Sequence, residues 1–244
     1  MPFCLKMSSK RDIVMKKLLV ALVLLFFIQV IQSQSFVSKS ADSLYKEDQF
    51  YFGVTYNLLT KGTVKLSQTG FSSGFHLGFI KDMPINKSRD IAFALGLGYT
   101  INSFNQNLLI SKNDLGEVSY SLLGDSDTYT QNRFSNHAIE LPFEFRWRTS
   151  NTTEYNFWRI YSGFKLSYNI MNTVKHKGDD LGDFKFRDIE DFNNLQYGFT
   201  LTAGYNTWNI HLYYGLNTVF SESKINDEVI DTRVIKIGLM FYIL

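Results

Sequence analysis

Alternating acidic and basic side chains in two neighbouring segments are the residues of this chain best suited to chemistry. The segments are NHAIELPFEFRWR, residues 136–148, and FWRIYSGFKLSYNI, residues 157–170. Residues two apart share one face of a β-strand, so the charges of each segment would point the same way. Carboxylates and cations gathered there could form a buried ion-pair network or line a path for ions. The candidate charge cluster consists of Glu140, Glu144, Arg146, Arg148, Arg159 and Lys165.

The two segments are predicted to pair as a hairpin through the turn TSNTTEYN. That register places Glu140 opposite Lys165 across the ladder, and Glu144 beside Tyr161 and diagonal to Arg159. A register shifted by two residues fits the sequence equally well. We interpret the cluster as a structural ion-pair network, with a conduction or gating path as the alternative.

The four histidines do not form a recognisable catalytic or metal site. His76 and His211 are predicted to share the face of the charge cluster, whereas His137 and His176 lie near loops. A serine hydrolase would need a histidine, a serine and an acid within reach, and no G-x-S-x-G motif occurs. The acidic segment KGDDLGDFKFRDIEDF lacks the ligand spacing of a calcium loop. We therefore predict no catalytic residue, no metal, no cofactor and no enzyme activity.

The elements that position these residues are strands with one bulky face. In IAFALGLGYTI, residues 91–101, every odd position is large and apolar, and every even position is Ala, Gly or Thr. A soluble sheet with one wet face would carry charges at the even positions. Small residues suit a crowded interior instead, so the bulky face is predicted to face lipid.

About eight such strands recur, and their connections alternate between long polar loops and short turns. This asymmetry is typical of outer-membrane barrels, which have long loops outside the cell and short turns in the periplasm. We predict an all-β fold: a transmembrane antiparallel up-and-down β-barrel over residues 49–244. The competing architecture is a secreted soluble barrel of lipocalin type, whose outer face would then be poor in charge.

The N-terminal region is predicted to be a cleavable signal peptide, residues 1–33, that directs export by the Sec pathway. Lys16 and Lys17 precede an apolar run that is too short to span a membrane comfortably. Translation is expected to start at Met15, and a polar segment, residues 34–48, would follow the cleavage site. An uncleaved anchor is the alternative. Cys4 is the only cysteine, so no internal disulfide can form.

The C-terminal segment KIGLMFYIL predicts a binding partner. It resembles the signal by which the barrel-assembly machinery recognises outer-membrane proteins, and the residues that carry it are Lys236, Gly238, Phe241 and Ile243. Outer-membrane lipid is the second expected partner. Lysine and arginine total 25 against 23 acidic residues, so no basic footprint indicates nucleic acid.

Several segments go beyond generic alternation. DMPINKSR, IELPFEFRWRTS and YNTWNIHLYYGLN carry the most specific likeness. From about Gln49 to its end the chain resembles the PorT family, also called SprT-like, of the outer-membrane β-barrel superfamily. The residues before Met15 depart from that pattern. The resemblance implies a role in type IX secretion and gliding motility, with other components of that machinery as partners. It transfers no catalytic motif.

Three functions are therefore weighed. The first is a non-catalytic accessory component of type IX secretion, which would assist the export of cargo with C-terminal sorting domains. Its candidate contact surfaces are residues 38–48, 102–133 and 171–194. The second is a small porin or channel that conducts through a charged lumen. The third is an outer-membrane acyl hydrolase that uses His137 or His211.

Overall fold

The computed structural model describes most of the chain from Asp48 onward. The described ranges are residues 48–60, 62, 66–113, 116–124, 126–149, 158–179, 181–221 and 223–243. The predicted signal peptide, the expected start at Met15 and all but the last residue of the polar segment lie outside these ranges. Within them, no helix is long and apolar enough to span a membrane.

Thirteen strands form in the described residues. Their bounds are β1 (Gln49–Leu59), β2 (Ser73–Pro84), β3 (Ile91–Asn105), β4 (Leu108–Lys112), β5 (Val118–Leu122), β6 (Tyr129–Arg148), β7 (Trp158–Gly178), β8 (Phe184–Arg187), β9 (Leu195–Tyr205), β10 (Trp208–Gly215), β11 (Lys224–Ile225), β12 (Glu228–Val229) and β13 (Val234–Ile243). Eight of them build the barrel, in the order β6-β3-β2-β1-β13-β10-β9-β7.

The eight strands form a closed ring. Chain neighbours pair around the ring, and β1 then pairs with β13 from Phe50↔Ile243 to Leu59↔Val234. Every pairing in the ring is antiparallel. Closure leaves no strand edge whose backbone groups would face lipid unpaired. The predicted fold class, an antiparallel up-and-down barrel of eight strands, is confirmed.

The outward face of the barrel is an apolar band between two girdles of aromatic side chains. Residues at alternate positions of each strand are exposed and apolar, as the period-two pattern predicted. Tryptophan and tyrosine concentrate at the two rims, where amphipathic rings suit a membrane interface. The turn-end girdle contains Trp147, Trp158, Tyr205 and Trp208, and the loop-end girdle contains Tyr56, Tyr99, Tyr168 and Tyr214.

The small residues of the inward face make room for a few large side chains. The Tyr51 ring lies against Gly78 and Gly98, where an added Cβ would come within 2.5 Å and 1.9 Å of its hydroxyl oxygen. Ile80 fills the space beside Gly96 in the same way. An eight-stranded barrel has an interior only wide enough for side chains, so one large residue requires a small neighbour.

The connections at the loop end are more structured than the sequence predicted. The long polar loop expected over residues 102–133 begins as a continuation of β3, forms the β4–β5 hairpin and returns in β6. The loop expected over residues 171–194 continues β7 and forms β8, which pairs with it. Strands β6 and β7 reach 20 and 21 residues and rise beyond the apolar band. The prediction of polar loops was wrong because these extensions keep the strand alternation, and their inward apolar side chains, such as Phe104, Phe134 and Val174, are buried among buried amides.

Those inward residues form an apolar core at the loop end, which we call the cap. Phe134 lies at its centre, with ring centroids 4.9 Å from Phe104, 5.5 Å from Phe192 and 5.7 Å from Phe220. The cap consists of Phe104, Leu108, Ile110, Phe134, Val174, Ile189, Phe192, Tyr213, Val219, Phe220, Ile225, Ile230 and Val234. Because the loop segments are held by hydrophobic packing, they form one folded layer over the barrel.

Buried amide side chains supply the backbone partners that the cap segments lack. Asn172 accepts from the Ile189 amide at 2.8 Å and donates to the Ile189 carbonyl at 2.9 Å. Asn132 donates to the carbonyls of Gln106 and Leu108. Irregular backbone can be buried only when its polar groups are paired, and these amides meet that requirement.

A substitution at Gly98 should therefore destabilise the barrel. Gly98→Ala puts a methyl group where the Tyr51 hydroxyl lies, so we expect a loss of about 1–3 kcal/mol in unfolding free energy. Urea unfolding in detergent micelles, followed by tryptophan fluorescence, measures it. Gly124→Ala is the matched control, since its Cβ would meet nothing closer than 3.9 Å. Equal stability of the two variants would contradict the packing described here.

Candidate functional site

The polar interior of the barrel is divided into two layers below the cap. The Glu140 layer lies at mid-height and contains Tyr51, His76, Glu140 and Lys165. The Arg146 layer lies at the turn end and contains Gln49, Asp82, Glu144, Arg146 and Arg148. All of these side chains are buried. The six residues of the predicted charge cluster all point inward. Five of them belong to these two layers, and the Arg159 guanidinium lies 5.8 Å from the centre of the Tyr242 ring.

Glu140 is the centre of its layer because three donors converge on its carboxylate. Tyr51 donates from its hydroxyl at 2.8 Å, and the Lys165 ammonium lies 3.3 Å away. The Nδ1 atom of His76 lies 3.2 Å from the other carboxylate oxygen. A buried carboxylate is tolerated only with such partners, since desolvation of an unpaired charge is very costly.

A second cation lies above Glu140. Lys236 of β13 donates to the Asn102 side chain at 2.7 Å, and its ammonium lies 5.2 Å from the centre of the Tyr213 ring. Sequence reasoning had assigned Lys236 to the assembly signal, and the structure gives it a place in the lumen as well. Phe241 and Ile243 of that signal point outward, and the signal itself stays a prediction.

The Arg146 layer is a chain of ion pairs across the turn end of the barrel. Asp82 lies 2.8 Å from the Arg148 guanidinium and 3.4 Å from that of Arg146. Glu144 accepts from Nε of Arg146 at 3.0 Å. The same guanidinium lies over the Tyr161 ring at 4.5 Å, a favourable cation–π contact. Arginine suits this position because its planar group can pair and stack at once.

The predicted hairpin register was wrong by two residues. Ser167 lies opposite Glu140, and Gly163 lies opposite Glu144, where the prediction had Lys165 and Tyr161. Glu144 is accordingly not a diagonal neighbour of Arg159, which pairs with Arg148. A two-residue shift leaves every side chain on the same face, so alternation could not choose between the registers. The long Lys165 side chain reaches Glu140 from two positions away.

The interior histidines are arranged like parts of a catalytic relay, yet they are enclosed. The Thr55 hydroxyl lies 3.2 Å from Nε2 of His76, whose Nδ1 faces Glu140. Nucleophile, base and acid stand in that order in hydrolase triads. All three side chains are at most 1% exposed, so a substrate has no access to them. His211 lies nearby and pairs through Nδ1 with the Thr202 hydroxyl at 2.7 Å.

The other two histidines lie apart from the lumen layers. His137 sits on the outer wall, where its Nδ1 lies 2.6 Å from the Tyr99 hydroxyl. His176 is buried in the extension of β7 beside Asn132, and its ring stacks on Phe184. Among the described residues, no group of three or more His, Cys, Asp or Glu side chains could hold a metal ion.

The cap closes the lumen above the Glu140 layer. A cavity of about 30 Å³ remains between them, lined by residues such as Asn102, Phe134 and Lys236. That volume holds roughly one or two water molecules. Tyr120 of β5 links two segments of the cap, because its hydroxyl donates to Asp191, between β8 and β9, at 2.7 Å. Burial, reinforced by that acidic neighbour, raises the pKa of Tyr120, so the phenol stays protonated.

Sequence reasoning missed two partners of the charge cluster. Asp82 was not included in the predicted cluster, although it continues the inward alternation of His76, Gly78 and Ile80 along β2. That alternation was the signal that could have found it. Tyr51 alternates with the outward Phe50 and Phe52 along β1, and its ring reaches Glu140 by crossing Gly78 and Gly98, which lie in the same cross-strand row. Nothing in the local sequence indicates that contact.

Comparison with known proteins identifies the family. The model of a family described as "outer membrane protein beta-barrel domain" matches residues 32–221, well over half of the chain. This chain belongs to that family. Its members are outer-membrane barrels, and the outward apolar band described above suits that location. The rule that long loops face outward predicts that the cap of this outer-membrane barrel lies at the cell surface.

Solved structures show remote likeness only. Ail, the attachment invasion locus protein of Yersinia pestis, in complex with the heparin analogue sucrose octasulfate, is 13% identical with a TM-score of 0.32, over 81% of this chain and 100% of that chain. A mutant porin of Rhodopseudomonas blastica is 9% identical with a TM-score of 0.19, over 81% and 99% of the two chains. A search of curated proteins found no match. These values transfer no ligand or activity to this outer-membrane barrel.

The Glu140–Lys165 pair should be strongly coupled in stability. Glu140→Ala leaves a buried ammonium and a buried tyrosine hydroxyl without their acceptor, and we expect a loss of about 3–5 kcal/mol. In a double-mutant cycle with Lys165→Ala, much of that loss should be non-additive. Unfolding free energies in micelles measure the coupling.

The matched control is the exposed pair between Lys177 and Asp183, 4.0 Å apart and 44% and 67% exposed. The same alanine cycle there should give a coupling below about 1 kcal/mol. A coupling for Glu140 and Lys165 as small as that of the exposed pair would show that the Glu140 layer does not hold the barrel together.

Proposed function

We propose that this outer-membrane barrel is a non-catalytic accessory component of the type IX secretion system, a PorT-like (SprT-like) protein. In this role it assists the export of cargo with C-terminal sorting domains and thereby supports gliding motility. The observation that carries the proposal is a lumen filled from end to end, which favours a membrane platform over a conduit.

The filled lumen supports the role through three barriers in series. Arg146 and its partners occupy the turn end, Glu140 and its partners occupy the middle, and the cap occupies the loop end. A solute would have to displace all three, and each layer is packed and internally paired. Folded cargo cannot pass an eight-stranded barrel in any case. A protein of this kind acts on secretion through contacts with other components.

The likeness of DMPINKSR, IELPFEFRWRTS and YNTWNIHLYYGLN to PorT sequences supports the specific pathway. In the structure, the first of these segments spans the end of β2 and the turn before β3. The third includes the tight turn at Asn206 and strand β10. Both segments include periplasmic turns, which are therefore candidate contacts for periplasmic components of the machinery. We also propose export by the Sec pathway and recognition of β13 by the barrel-assembly machinery.

The cap offers a second contact surface at the cell exterior. Leu181, Val229 and Leu122 are exposed there to 56%, 45% and 37% although they are apolar. They lie on the segments β7–β8, β12 and β5, which the cap holds in a fixed arrangement. Rigid, partly apolar loop tips suit a protein partner better than a small molecule.

The secretome of a deletion strain tests the role. We expect proteins with C-terminal sorting domains to disappear from the medium and accumulate in the periplasm, and wild-type protein supplied in trans should restore them. Mass spectrometry of both fractions measures this. The same fractions should show unchanged amounts of other outer-membrane proteins, which serve as the control. An unchanged secretome would refute the secretion role.

A small channel is the second candidate, and the charged Glu140 layer favours it. Lys165 and Lys236 lie near one carboxylate in the lumen, an arrangement that could select anions if the cap opened. We expect wild-type protein in planar bilayers to give no stepwise conductance, because the cap and the Arg146 layer both block the path. Steady conductance that falls in Lys165→Ala would replace the platform role with the channel role.

A further inference from the structure

A basic groove lies on the outer wall of the barrel, just above the apolar band. It has a volume of about 370 Å³ and is formed by the extensions of β6 and β7 and by β8. Its polar lining includes Arg133, Ser135, His137, Lys175, Lys185 and Arg187. The groove belongs to neither the lumen layers nor the cap, and all of these side chains point away from both.

Three of the four strong cations of the groove lie opposite one another across the strand ladders, and the fourth, Arg187, lies opposite Thr173. Arg133 pairs with Lys175 across β6 and β7, and Lys175 pairs with Lys185 across β7 and β8. Like charges directly opposite each other destabilise a sheet. At the upper edge, Asp183 lies 4.0 Å from Lys177. In the described part of the chain, no acid lies within ion-pair distance of the four groove cations.

The groove begins one row of side chains above the loop-end girdle. Ile139 of β6 pairs with Tyr168 of β7 in the girdle row, and the next outward row contains His137 and Met171. Two residues of strand advance the chain by about 7 Å. The cations follow in the next two rows. This is the height at which the headgroups of outer-leaflet lipids meet water, and their acyl chains would descend along Tyr168 and Ile170.

We propose that this groove binds the phosphorylated headgroup of a lipid in the outer leaflet. Arg133 and Arg187 can hold phosphate oxygens with two parallel N–H donors each, and Lys175 and Lys185 add point charges. The bound phosphate replaces the acidic partners that the sheet lacks and relieves repulsion between the paired cations. His137, fixed by the Tyr99 hydroxyl, forms the lower edge of the site.

The position of the groove favours a membrane lipid over a soluble anion. The groove opens sideways from the barrel wall, and its floor continues into the apolar band through Met171 and Ile170. A site for a soluble polyanion would be most accessible at the loop tips. Acidic side chains are exposed there, at Asp179, Asp183 and Asp188, and they would repel an anion. A lipid satisfies both the cations and the apolar surface beneath them. This inference is independent of any role in secretion.

The test compares purified protein in nanodiscs that contain bisphosphorylated lipid A or the same lipid without phosphates. Native mass spectrometry counts bound lipid, and tryptophan fluorescence follows thermal unfolding. The groove variant carries Arg133→Gln, Lys175→Gln, Lys185→Gln and Arg187→Gln. The control variant loses four positive charges elsewhere, through Lys81→Gln, Lys87→Gln, Lys224→Gln and Arg233→Gln, all at exposed residues.

We expect the phosphorylated lipid to bind the wild type and the control variant about tenfold or more tightly than the groove variant, and to raise the unfolding temperature only in the first two. Retained barrel structure in the groove variant is checked by its faster migration on unheated gels. Equal binding of phosphorylated and dephosphorylated lipid, or full binding by the groove variant, would overturn the proposal. So would equal stabilisation by inorganic phosphate alone, because the site would then serve a soluble anion.

Discussion

The structure depends on one constraint: within a membrane, every backbone donor and acceptor must find its partner inside the protein. The pairing of β1 with β13 meets this constraint by removing both sheet edges. Closure with eight strands then fixes a narrow interior, and a narrow interior must be filled by side chains. The glycine faces of β2 and β3, and the Tyr51 ring that lies across them, follow from this requirement.

The filling differs from one end of the barrel to the other for a physical reason. At the turn end and at mid-height the space is long and narrow, and extended side chains such as Arg146 and Lys165 can cross it and pair with Asp82, Glu144 and Glu140. At the loop end, the extended strands and their connections provide enough chain to build an apolar core. The two polar layers rigidify the barrel, and the cap orders the surface at the loop end. Both favour a rigid platform over a pore.

Charged side chains are arranged differently on the outer wall and in the lumen. The carboxylates inside the barrel all lie in ion pairs, because the cost of leaving a buried charge unpaired is large. The cations of the basic groove, at Arg133, Lys175, Lys185 and Arg187, face water and lipid headgroups, where like charges can coexist. Their alignment on adjacent strands is still unfavourable, and a bound phosphate would make it favourable. Lumen and wall thus use the same residue types for stability and for recognition.

The sequence by itself determined the fold class, the outward band and the inward direction of the six clustered charges, because a period of two survives any shift of register by two. It could not determine that Ser167, not Lys165, lies opposite Glu140, since both registers keep the same faces. It also could not show that Tyr51 and His76 meet Glu140, because these contacts between residues 89 and 64 positions apart depend on the registers of β1, β2, β3 and β6. The cap could not be predicted for a similar reason: Phe104, Ile110 and Phe192 lie in segments predicted as polar loops, and only tertiary packing makes them a core.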